Sequence, residues 1–182
     1  MQKKNNLNNV RLKALTETDK QKTLEWNNQD DIKELYAGHP FPVNMEMESA
    51  WYDKITSSNF PTTVFGIELL KEKKLIGISA LKKIDLINRK AEFSIFIGDL
   101  QERGKGFSKE ATNLTMYFGF NKLGLKRIFL NVQSNNKIAI KLYENLGFIK
   151  EGVLRSSIFK DGVYLDEIVM GILSSDFKTN EL

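Results

Sequence analysis

Gln101-Glu102-Arg103-Gly104-Lys105-Gly106 sets two glycines around a lysine, directly after an alternating strand pattern and before a helical one. Glycine tolerates the turns that aim backbone N–H groups outward. A helix N-terminus adds about half a positive charge, so such a junction can hold a phosphate with few side chains. Three phosphate loops compete for it. The triphosphate loop G-x-x-x-x-G-K-[ST] fails, because Lys105 is followed by Gly106 and Gly98 is one residue out of spacing. The dinucleotide loop G-x-G-x-x-G fails too, since Lys109 stands where its third glycine belongs. The third, Q/R-x-x-G-x-G/A, fits at every fixed position, and a second register from Arg103 puts Ser108 in the small-residue slot. A glycine-rich turn that merely starts a helix is the plain alternative.

Downstream, Asn136-Lys-Ile-Ala139-Ile-Lys-Leu-Tyr143-Glu-Asn-Leu-Gly147-Phe148 follows the pattern N-x-x-A-x-x-x-Y-x-x-x-G-F. With both motifs at this distance, the chain resembles the GNAT acyl-CoA N-acyltransferases, in the subgroup of spermidine, amino-sugar and ribosomal-protein N-acetyltransferases. The resemblance runs from Lys74 to Leu173 and fades over the first sixty residues, where the acceptor is usually chosen. It implies acetyl-CoA as cofactor. The pyrophosphate would lie on the N–H groups of Arg103, Gly104, Lys105, Gly106, Phe107 and Ser108, in the loop that Gln101 opens. The pantetheine arm would add to the strand ending at Phe96, Ile97 and Gly98, splayed from the next strand. Asn136 would hydrogen-bond the arm beside Ala139, and Tyr143 would face the thioester sulfur. Asn131 could touch the cofactor or simply end its strand. Glu92, in the motif Ala91-Glu92-Phe93, would be the base, directly or through water; pairing with Arg89 on a surface strand is the competing reading.

Acyl transfer to an amine asks for these residue types. An amine of pKa ~10.4 is protonated at neutral pH, and releasing the proton costs about 4–5 kcal/mol, which a positioned base and a desolvated pocket offset. The departing thiolate, of pKa ~8.5, needs a donor such as a tyrosine of pKa ~10. Backbone N–H groups near Ile97 and Gly98 would hold the oxyanion. With no cysteine to carry an acyl group, transfer is direct in a ternary complex.

Elements must position these groups. Thr16-Glu-Thr-Asp19 reads as a helix start, and a second helix follows Asn44 with Met47, Trp51 and Ile55 on one face. Strands are expected over 63–70, 75–81 and 91–97, the last with Glu92, Ser94 and Phe96 opposite Phe93, Ile95 and Ile97. Phe107, Ala111, Leu114 and Phe118 mark a buried helical stripe. Residues 127–132 form a strand, Asn135 or Asn136 caps a helix that ends at Gly147, and a hairpin turns at Asp161-Gly162. The expected fold is α/β (α+β mixed): one GNAT-like domain over 1–182, a twisted, mixed, mostly antiparallel sheet with splayed central strands and flanking helices. Its cofactor core would span about 74–173 and its acceptor-binding helices about 16–60.

The 182 residues, 41% hydrophobic and 27% charged, suit one domain. Absence of cysteine excludes disulfides, iron–sulfur clusters and thiol nucleophiles, and a single histidine excludes a multi-histidine metal site; no metal is expected. The polar start lacks a signal-peptide core and no apolar run approaches a membrane span, so the expected place is the cytoplasm, with no membrane partner. A net charge of +4 on a mixed surface, without a basic stripe carrying aromatics, argues against a nucleic-acid partner. His39, Trp26, Trp51 and Glu46 are the candidates for acceptor binding. Against them stand a loop histidine, core packing for both tryptophans, and a solvated face for Glu46 with Glu48, Asp30, Asp31 and Glu34. The expected reaction is acetyl transfer to a primary amine of a small molecule, a polyamine or a nucleotide-linked amino sugar. A ribosomal-protein or peptide α-amine is the alternative, and a non-catalytic CoA-binding sensor the rival of another class. The resemblance is also compatible with a homodimer.

Overall fold

The computed structural model describes residues 9–35, 41–56 and 61–178. His39 and the side chain of Glu34 lie outside the described residues. Seven strands form one sheet in the order β1-β2-β3-β4-β5-β7-β6: β1 (Val10–Lys13), β2 (Thr63–Leu69), β3 (Lys74–Asp85), β4 (Lys90–Ile97), β5 (Arg127–Gln133), β6 (Ile149–Lys160) and β7 (Val163–Leu173). Helices α1 (Lys20–Asn27), α2 (Asp30–Leu35) and α3 (Met45–Thr56) lie between β1 and β2, α4 (Phe107–Tyr117) joins β4 to β5, and α5 (Lys137–Asn145) joins β5 to β6. The mixed, mostly antiparallel sheet is as expected: only β4 and β5 run parallel. Their pairing stops after Lys90↔Arg127, Ala91↔Ile128 and Glu92↔Phe129, so the two strands diverge beyond Glu92.

Alternation along β4 builds two cores. Phe93, Ile95 and Ile97 turn toward α4, where Phe93 meets the Leu81, Met116 and Ile128 cluster and Ile97 meets Ile67, Ile76 and Ala111. Phe96 turns the other way, toward Trp26, Tyr52 and Ile78 under α1 and α3. The Asp161-Gly162 turn, with φ of 48° and 80°, closes the β6–β7 hairpin between Lys160 and Val163.

Three local expectations change. Val10–Lys13 is an edge strand where only polar helical sequence was expected; it pairs with β2, and the Val10 N–H also donates to the Glu110 carboxylate at 2.9 Å. The start at Thr16 is a 3-10 turn with a capping box, continued by α1. The buried face of α3 is Glu48 and Tyr52 rather than Met47, which is exposed; Trp51 and Ile55 pack beside it. The cause is a polar knot. Glu48 accepts from Thr23 Oγ1 at 2.5 Å and from Asn27 Nδ2 at 2.9 Å, and Thr23 Oγ1 lies 3.2 Å from the Tyr52 hydroxyl. Burial pushes the Tyr52 phenol up to about 12, against the opposing contact with the Thr23 hydroxyl. A carboxylate that neutral donors satisfy can be buried, and this one ties α1 to α3.

Candidate active site

The glycine loop is built as its sequence requires. Gly104 and Gly106 hold φ of 75° and 88°, and a Cβ at either would meet nothing within 4 Å, so the glycines serve backbone conformation rather than space. Gly106 is the N-cap of the eleven-residue α4. Among the described residues, no acceptor takes the N–H groups of Gly104, Lys105, Gly106, Phe107 or Ser108; the first amides bonded back into the turn are those of Lys109 and Glu110, to the Gly106 carbonyl. Successive free amides at a helix start form an anion seat. Beside it, a cleft of about 370 Å³ is lined by Lys71, Lys74 and Lys105, by the acids Glu72 and Glu102, and by Asn9 and Phe107.

Arg103 departs from its expected place in that cradle. Its amide leans back toward the Leu100 carbonyl at 3.4 Å, and its side chain folds away from the loop. Nε donates to the Ile97 carbonyl at 2.8 Å, and Nη1 pairs with Asp31 of α2. Gln101 is exposed, and its amide donates to Asp99 Oδ1. Asp99 and Glu102 clasp Lys74 at 2.8 and 3.4 Å, and Lys105 sits 2.9 Å from Glu102. Burial alone would raise the Asp99 carboxyl, but the Lys74 hydrogen bond and the Gln101 amide hold it below its ordinary range. Glu102 is lowered chiefly by its hydrogen bond to Lys105.

The splay gives β4 an inner edge. The Gly98 N–H donates to Ile76 on β3 at 2.9 Å, so alternation turns the main-chain groups of Phe93, Ile95 and Ile97 toward β5. This corrects the expectation for Gly98: its amide is spent on β3 and is not free to hold an oxyanion. Gly98 has another duty. A Cβ there would lie 2.1 Å from the Trp26 indole. Trp26, 2% exposed, therefore seats its ring on the Gly98 backbone and meets Phe96 edge-on at 6.0 Å, a core position rather than an acceptor-stacking one. Trp51 is half-buried and edge-on to Tyr52, and Glu46 is exposed in the first turn of α3. Glu48, read as part of the same acidic face, is instead the buried centre of the polar knot.

Glu92, Ser94 and Phe96 share the other face of β4, and Glu92 is its last residue paired with β5. Lys82 lies directly across from Glu92 in the β3–β4 register. Burial lowers the Lys82 ammonium, against the attraction of Glu92. Lys83 Nζ approaches Glu92 Oε2 to 2.7 Å, a charge contact without the alignment of a good hydrogen bond. Arg89, the partner expected for Glu92 in the surface reading, is not the residue found there. Ser94 Oγ is buried with no hydrogen-bond partner among the described residues, on the same face as Glu92. An orphaned buried hydroxyl invites a substrate group or a water. The sequence placed Ser94 on the Glu92 face; its isolation is visible only in three dimensions.

On α5, Asn136 is the cap: its Oδ1 accepts from the Ala139 N–H at 3.1 Å, which leaves its amide nitrogen for a ligand. Ala139 packs on the core beside β5, and Asn131 is exposed on β5. Tyr143, 8% exposed, stands edge-on to Phe93 at 6.2 Å and 5.6 Å from Phe148. Its ring therefore lies against the strand residue that follows Glu92.

An open anion loop, a splayed strand pair and a tyrosine against their junction form one arrangement, and comparison with known proteins agrees with it. The model of the acetyltransferase (GNAT) domain matches residues 9–149. The chain belongs to the GNAT acetyltransferases. This acetyltransferase is 34% identical over 166 residues to a spermidine N(1)-acetyltransferase of Vibrio cholerae, covering 91% of this chain and 94% of that one. The crystal structure of the Vibrio cholerae spermidine N-acetyltransferase in complex with CoA and spermine superposes with a TM-score of 0.86 at 33% identity, over 92% of this chain and 97% of that chain. A dodecameric structure of the spermidine N-acetyltransferase from that organism gives 0.78 at 32% identity, over 92% and 95%. The reaction of this GNAT chain is N-acetylation, with acetyl-CoA as donor. Among the described residues no helix is long and apolar enough to cross a membrane, and no group of His, Asp or Glu is placed to hold a metal.

Proposed function

We propose that the protein acetylates a primary amine of a polyamine in the cytoplasm, by direct attack on acetyl-CoA at the β4–β5 junction. The observation that carries the reading is the run of unclaimed amides from Gly104 to Ser108 at the foot of a β4 edge that opens at Glu92. Near-full-length similarity to spermidine acetyltransferases supplies the acceptor class. The loop amides hold the diphosphate, and Lys71, Lys74 and Lys105 suit the anionic nucleotide end. The main-chain groups of Phe93 and Ile95 and the Ile97 N–H, with the Asn136 amide, take the pantetheine amides. When bound, acetyl-CoA supplies an activated acyl carbon. Glu92 accepts the amine's proton, Ser94 holds the amine or the relaying water, a main-chain N–H of the open β4 edge just beyond Glu92 faces the developing oxyanion, and the Tyr143 hydroxyl protonates the leaving sulfur. Residues 16–60 are the acceptor-binding part, with Glu46 and Asp30 among its exposed acids.

The same proposal includes assembly with copies of itself. β6 is a sheet edge, and the β6–β7 hairpin exposes Ile149, Val153, Leu154, Phe159, Val163 and Tyr164. An edge strand carrying that much apolar surface is suited to pairing with a symmetric partner. A thiol-release assay over spermidine, spermine, amino sugars and N-terminal peptides tests the function. Turnover confined to peptides, or CoA binding with no turnover, overturns it. Light scattering tests the assembly, which a monomer at micromolar concentration refutes.

A further inference from the structure

Lys83 is itself a primary amine, and the fold delivers it to the carboxylate read above as the acceptor's base. β3 changes register between Lys82 and Asp85, and Lys83 within that irregularity has a φ of 49°, a conformation that costs an L-residue about 1–2 kcal/mol. Simple alternation would send the Lys83 side chain to the face opposite Lys82 and Glu92. The irregular backbone instead lets Lys83 Nζ reach Glu92 Oε2 at 2.7 Å. The contact lies at the last β4 residue paired with β5, where the splay begins, five strand positions from Ile97, or about 17 Å along β4 from the glycine-loop end. The side chain is 77% exposed, so its flexible four-carbon stem is free to swing about that point.

We propose that Lys83 is a site of self-acetylation in cis, its ε-amine taking the acceptor's place at Glu92. The inference rests on the reading of Glu92 as base. The Lys83 ammonium gives a proton to the Glu92 carboxylate, which passes it to water. Neutral Nζ attacks the thioester carbonyl of acetyl-CoA, a C–N bond forms, the adduct nitrogen gives up its second proton to solvent through the freed Glu92 carboxylate, and the C–S bond breaks. The CoA thiolate takes the Tyr143 proton, which solvent restores. The balance is acetyl-CoA plus a lysine ammonium giving Nε-acetyl-lysine, CoA thiol and one proton. The modified side chain carries no charge and no longer pairs with Glu92, so the carboxylate is released to incoming amines.

The test is incubation of the full chain with acetyl-CoA and no amine acceptor, followed by intact-mass measurement and peptide mapping. The wild type is compared with K83R, K82R and E92Q, each shown to be folded by a circular-dichroism melt. One acetyl group is expected on Lys83, at a first-order rate independent of protein concentration. E92Q slows it about a hundredfold, K83R takes none at that rate, and K82R is still modified at Lys83. Acetyl groups on Lys82, or spread over surface lysines at a rate that E92Q does not change, overturn the proposal, and so does a rate that rises with protein concentration. Spermidine turnover on the same samples separates the two readings. Turnover lost in E92Q, with Lys83 of the active wild type unmodified, overturns self-acetylation alone. Turnover unchanged in E92Q overturns the role of Glu92 and this inference with it.

Discussion

Gly106→Ala isolates the backbone's share of cofactor binding. The substituted Cβ meets nothing within 4 Å, so the change adds no clash; it asks an L-residue to hold φ near 88°. That costs about 1–2 kcal/mol. The neighbouring amides bond to nothing else in the described chain, so the free loop can relax to a negative φ and escape the cost. Binding a diphosphate on those amides restores the left-handed turn, and the cost then appears in affinity. Isothermal calorimetry is expected to show CoA binding about 5–30-fold weaker, with little change in Tm. Gly98→Ala is the opposite case. Its Cβ would lie 2.1 Å from the buried Trp26 indole, an overpacking of roughly 1–3 kcal/mol that lowers Tm by about 2–12 °C. A Gly106→Ala protein that melts early yet binds CoA normally refutes the reasoning, because the loop would then be holding the fold rather than the ligand.

Tyr143→Phe keeps the ring against Phe93 and Phe148 and removes only the hydroxyl; kcat is expected to fall about a hundredfold at nearly unchanged CoA affinity, and equal losses in both would mean a packing role. Lys82→Met removes a half-buried positive charge facing Glu92, so KM for spermidine falls severalfold, by about 1 kcal/mol. A rise in KM instead points to an acceptor with an anionic part, as in a nucleotide-linked amino sugar. Asp99 and Glu102 are held below their ordinary range in the fold, so the stability they contribute is complete above the unfolded values. It is lost as pH falls below about 4 through the folded ones. Asp99→Asn therefore flattens the acid side of a Tm-against-pH curve, and an unchanged slope refutes the clasp on Lys74.

The motifs fixed by backbone chemistry were readable in one dimension. Gly104, Gly106 and Gly147 adopt positive φ where the sequence pattern demanded it, Asn136 caps α5, and the Asp161-Gly162 turn closes the last hairpin. β4 was readable from its alternation, and β2 and β3 as apolar runs on either side of a charged turn. What escaped depends on partners far along the chain. Val10–Lys13 is too short to show a period and becomes a strand only because β2 is beside it. Glu48 reads as a surface acid until Thr23 and Asn27 arrive from another helix. Lys83 reaches Glu92 only because an irregular backbone swings it there. Arg103 fits the loop pattern, yet Asp31 and the Ile97 carbonyl draw its side chain out of the loop.

The flat seat of Trp26 on Gly98 bears on how members of this family could trade acceptor preference. The N-terminal helices and the cofactor strand touch there through an indole and a position that must lack a side chain, so neither can be transplanted without the other. A hybrid that imports foreign helices will keep its coenzyme grip only if the incoming segment brings a flat ring to that spot, and a recipient with alanine there will reject this one.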